Sequence, residues 1–138
     1  MSDTKRMSDD QFLAAFLDCS MPPSGFNHMG HMRAAWLLLQ QLPLDDAVEE
    51  ICKGIARPAT HLGAPDKFNR TLSEALVRLM AHAGAASPTW SWLGFLVANP
   101  DLINDARGLL SRHYSPEQLN SPTARERFLP PDRLPLPS

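Results

Sequence analysis

Apolar residues recur at intervals of three and four along most of the chain, and proline or glycine marks the breaks between the runs. Ser8-Asp9-Asp10-Gln11 has the spacing of a capping box, and Phe12, Leu13, Phe16 and Leu17 follow it, predicting a first helix over about 9–19. Met21-Pro22-Pro23-Ser24-Gly25 stops it, because proline lacks the amide that the helix ladder needs. Asn27 is a good N-cap for a second helix over 28–42, apolar on nearly every face across 34–39 and therefore the expected centre of the fold. A third starts at Leu44-Asp45-Asp46, turns Ala47, Val48, Ile51 and Ile55 inward, and is expected to close at Pro58.

Residues 60–64 read as a loop holding His61 and Gly63, and Pro65 as the first turn of a fourth helix that ends at Gly84. Its inner stripe is expected to be Phe68, Leu72, Ala75, Leu76, Leu79 and Ala83. Arg70, Glu74 and Arg78 fall at four-residue steps along it, the spacing of a solvated charged face. Ser87-Pro88 signals a fifth helix bearing Trp90, Leu93 and Val97, and Asn99-Pro100 a further helical stretch to about Arg112. Ser115-Pro116 and Ser121-Pro122 then open two short capped turns. No window alternates apolar and polar residues as a half-buried strand would. The expected fold is all-α: a compact helical bundle of four to six helices over 1–128, with 129–138 as an extended, proline-rich tail wrapped over it.

Composition narrows the function classes. A chain of 138 residues, 43% hydrophobic and 20% charged, fills one core and offers no continuous apolar span for a membrane. The net charge of -2, with lysine and arginine scattered, lacks the basic footprint that nucleic acid requires. Acidic residues stand where a secretory signal would need an apolar run, and two cysteines, Cys19 and Cys52, fit a reduced compartment, so a cytoplasmic location is expected. No Gly-x-Ser-x-Gly elbow or glycine-rich phosphate loop is present.

The candidate chemistry lies in Phe26-Asn27-His28-Met29-Gly30-His31, two imidazoles three residues apart at a helix start. The positive end of a helix favours neutral imidazole, the form that binds a metal or accepts a proton. Two nitrogen ligands are too few for a closed metal site, and Glu74, His61, His82 and His113 are the other conceivable suppliers. Histidines at helix starts also commonly cap or hydrogen-bond a neighbouring loop, and Trp36, Trp90, Trp92 and Phe95 at helical spacing are more often core than pocket.

Taken in order, Phe26-x-His28-x-x-His31-x-x-x-Ala35-Trp36, Lys67-Phe68-Asn69-Arg70-Thr71, Arg112-His113-Tyr114-Ser115, Ser121-Pro122-x-Ala124-Arg125 and Pro131-Asp132-x-x-Pro135-Leu136-Pro137 resemble a family of small, uncharacterised bacterial helical proteins. The resemblance runs from about Phe26 to the C-terminus. It implies a helical fold and no particular activity. It also implies a histidine at the position of Asn69, which would be a third imidazole beside His28 and His31. This chain departs there, and an amide is a much poorer metal ligand than imidazole, so little bound transition metal is expected and no cofactor is named.

These readings combine into a small-molecule site where the second helix meets the fourth. His28 and His31 would be its polar, proton-transferring centre, Asn69 and Glu74 would face them, and Trp36 and Phe68 would form the apolar wall. The competing expectation is a non-catalytic accessory or interaction module, docking on a protein partner or a second copy through its tail and exposed apolar residues.

Overall fold

A computed structural model describes residues 8–18, 20, 27–61, 68–85 and 91–136, and among them every regular element is a helix, without a strand. The helices are α1 (Asp9–Leu17), α2 (His28–Gln41), α3 (Leu44–His61), α4 (Arg70–His82), α5 (Trp92–Ala98), α6 (Pro100–Asn104), α7 (Ala106–Ser111), α8 (Pro116–Leu119) and α9 (Pro122–Glu126). Five of these nine are seven residues or longer. Local chemistry sets most of the boundaries. Ser8 and Gln11 form a reciprocal capping box, and Asn27 accepts from the Gly30 amide at 2.8 Å. At the end of α4, Gly84 takes a φ of 102° that suits only glycine well, and the Gly84 and Ala85 amides close back on the carbonyls of Ala81 and Met80.

Four boundaries differ from the sequence expectation. Helix α3 runs through Pro58 to His61, because a proline one turn from the end removes a single ladder bond and the rest of the last turn still forms. Helix α4 begins at Arg70, where Asn69 caps it, so Phe68 lies before the helix; Pro65 is outside the described residues. The stretch after Asn99 divides at Asp105, whose carboxylate accepts from the Gly108 amide and starts α7 afresh. Helix α5 starts at Trp92 after its cap Ser91 and buries Phe95, leaving Leu93 and Val97 on the exposed face; Ser87, Pro88 and Trp90 are outside the described residues.

Helix α2 is buried on nearly all sides, with Met32, Ala34, Ala35 and Leu37, Leu38 and Leu39 inside, and it packs against α1, α3 and α4. Close approach of α1 and α3 needs Gly54, since a Cβ there would overlap the buried Phe16 ring. Helix α4 packs against α3 on one side and α7 and α9 on the other.

After α9 the chain becomes an extended strap. The fully buried Thr71 hydroxyl donates to the Arg127 carbonyl at 2.8 Å and accepts from the Leu129 amide at 3.0 Å. The buried Tyr114 hydroxyl donates to the Leu129 carbonyl at 2.7 Å, and burial pushes that phenol up to about 12. Asp132 accepts from both the amide and the hydroxyl of Ser115, at 2.7 and 2.6 Å, which holds its carboxyl below the usual range. Thr71, Tyr114 and Ser115, from three separate segments of the sequence, thus hold the strap through one set of hydrogen bonds. Thr71→Val keeps the shape of the side chain but leaves two backbone groups of the strap without their partner. It should cost about 1–3 kcal/mol in a thermal melt, while Thr71→Ser should retain most of that stability. Equal melting of wild type and Thr71→Val would show that the two Thr71 bonds contribute nothing to stability.

Candidate functional site

Residues 28, 31, 32 and 35 share one stripe of α2 because three- and four-residue steps return to the same helix face. That stripe meets Ile51 and Ile55 of α3. It also meets a second stripe on α4, where Leu72, Ser73, Leu76, Val77 and Met80 face it. The three helices leave between them a partly open cavity of about 70 Å³. Among the described residues its wall is apolar except for His28, His31 and Ser73.

His28 is exposed, and its Nε2–H donates to the Leu102 carbonyl of α6 at 2.8 Å. A carbonyl can only accept, so this bond places a proton on Nε2. His31 lies deeper. Burial, and after it repulsion from His28, push its imidazole down to about 4, so at neutral pH it is an uncharged ring in an apolar wall.

The other expected site residues are placed elsewhere. Asn69 caps α4 by accepting from the Leu72 amide at 2.9 Å and donates to the Leu119 carbonyl at 2.8 Å, tying α4 to α8. Phe68 is half-buried against the core and does not line the cavity. Trp36 stacks at a tilt on Trp92, with ring centroids 5.7 Å apart, and Trp92 on Phe95 at 6.3 Å, an aromatic cluster between α2 and α5.

Glu74 corrects the reading of a solvated charged face. It is 5% exposed, and its two oxygens are divided between flanking arginines. Arg70 Nε reaches Oε1 at 3.0 Å, and Arg78 reaches Oε2 through Nε at 3.0 Å and a terminal nitrogen at 2.8 Å. Arg70 extends to Glu49 at 2.6 Å and Arg78 to Asp45 at 3.3 Å, so a five-residue charge network seals the α3–α4 seam. Every carboxylate oxygen of Glu74 is engaged in structure, none with the cavity.

Sequence reasoning thus named the two histidines and the inward side of α3 that line this cavity, but not Ser73, Val77 and Met80. Their signal was present as the i, i+4, i+7 spacing of an α4 stripe one position round from the one chosen. Among the described residues no three His, Cys, Asp or Glu side chains converge as a metal would need. Cys52 is a free, buried thiol pushed up to about 11 by burial, a poor nucleophile; Cys19 and the side chain of His61 are outside the described residues. No helix among the described residues is long and apolar enough to cross a membrane. No protein-family model, curated protein or solved structure matches the chain.

Proposed function

We propose that the chain binds a small molecule in the cavity between α2, α3 and α4, with His31 as the buried polar group and His28 at the mouth. The observation that carries this reading is the cavity itself: the two paired histidines open onto space instead of being packed over. Binding, rather than acid catalysis, is what the chemistry favours. A ring pushed down to about 4 is protonated in only about one molecule in a thousand at pH 7, so His31 can donate and accept hydrogen bonds as a neutral imidazole but is a poor general acid.

A screen of neutral fragments, followed through the methyl resonances of Met32 and Met80 in the cavity wall, tests the proposal. Hits should move both methyls, and Ala35→Leu, which grows a side chain into the cavity, should abolish them while leaving a cooperative melt. Failure of every fragment to move either methyl would leave the interaction-module reading ahead. That reading has its own support in Leu93 and Val97, 70% and 74% exposed on one face of α5.

A further inference from the structure

The cavity also restricts what can enter it, and this inference rests on the binding reading above. We propose that its ligand is an uncharged molecule of about three or four heavy atoms, an apolar tail carrying a single hydroxyl or carbonyl group that pairs with His31 or Ser73.

Size sets the first limit. At about 70 Å³ the cavity is less than half the ~150 Å³ that accommodates benzene in a protein core, so an aromatic ring fits only if the walls move. A narrow chain fits as it stands, with its remaining atoms toward the open side where His28 is exposed.

Charge sets the second limit. Among the described residues, no lysine, arginine, aspartate or glutamate lines the cavity. The carboxylate of α4, Glu74, follows Ser73 directly but is turned about 100° round the helix and held between Arg70 and Arg78. An anion or a cation entering this space would lose water and gain no counter-charge, a large cost in an apolar wall. The neutral state of His31 points the same way, because the surroundings that strip its proton would disfavour any other buried charge.

Polarity sets the third. Ser73 and His31 project from facing helices into a wall otherwise built of side chains such as Met32, Ile51, Val77 and Met80. So little polar surface matches one polar group on the ligand and leaves a second one unsatisfied.

The test follows the Met32 and Met80 methyls of the full chain at pH 7 against four probes: xenon, 1-propanol, propanoate and propylammonium. Xenon reads the cavity alone and the three organic probes read its selectivity. Both methyls should shift with xenon and, saturably, with 1-propanol, and the two ions should bind at least about tenfold more weakly. Replacing His31 by Leu, or Ser73 by Ala should either variant fold poorly, should weaken 1-propanol about threefold or more and leave the xenon response in place. A xenon response with equal or tighter binding of either ion overturns the ligand class while the cavity reading stands. Silence from xenon and all three organic probes overturns both.

Discussion

Glu74→Gln should lower the stability of this protein by about 2–4 kcal/mol, a large part of the roughly 5–15 kcal/mol that holds a domain folded. The carboxylate is nearly sealed from solvent, while Arg70 and Arg78 are each about a quarter exposed, at 23% and 28% of the side chain. Removing the central charge leaves two guanidinium groups facing each other across a seam they cannot leave. Their outer partners compensate little, because Glu49 and Asp45 are 54% and 88% exposed and pairs of that kind contribute about 0–1 kcal/mol. Two terms oppose each other in the arginines. Burial alone would lower Arg70, but its hydrogen bonds to Glu49 and Glu74 carry it above its ordinary range, so it stays charged in every accessible condition. The cost therefore comes from stranding charge, not from losing a bond. A triple variant, Arg70→Met with Glu74→Leu and Arg78→Met, removes all three charges together and should recover most of the loss. Urea midpoints for the two variants decide it. A Glu74→Gln midpoint close to wild type would mean that water already reaches the carboxylate.

His31 should make the protein acid-sensitive between about pH 6.5 and pH 4. The unfolded chain takes up a proton on this ring near 6.5, whereas the folded chain resists it down to about 4. Between those values the unfolded state binds more protons, so stability is full above pH 6.5, falls as the pH drops, and has lost His31's whole contribution below pH 4. The difference amounts to about 2 kcal/mol by pH 5 and about 3 kcal/mol by pH 4. His31→Gln has no proton to gain and should flatten this part of the curve. The measurement is the stability difference between wild type and His31→Gln at pH 7, 5.5 and 4.5, which cancels every other titrating group. A difference that stays constant with pH would place His31 in water instead of in the wall of a cavity.

The helical class of the fold was legible because local signals agree. The Ser8 box, the Asn27 cap, the Gly84 stop and the Ser115-Pro116 and Ser121-Pro122 starts each act within four residues and owe nothing to the rest of the chain. The two histidines were legible for the same reason: their spacing along one helix decides that they share a face. What faces them was not. A helix carries several stripes with apolar character, and which one of α4 turns toward α2 depends on how Glu74 is buried against α3, a long-range choice that no four-residue rule contains. Asn69 and Glu74 look equally available for a ligand in the sequence, yet the fold commits one to a helix cap and a tie to Leu119, the other to two arginines. The sequence by itself determined the helices, their caps and the pairing of His28 with His31, because these are properties of neighbours along the chain. Only the tertiary structure decided that the pair opens onto a cavity with Ser73, and that His31 is driven neutral, because burial and dielectric environment are set by residues brought together from three separate helices.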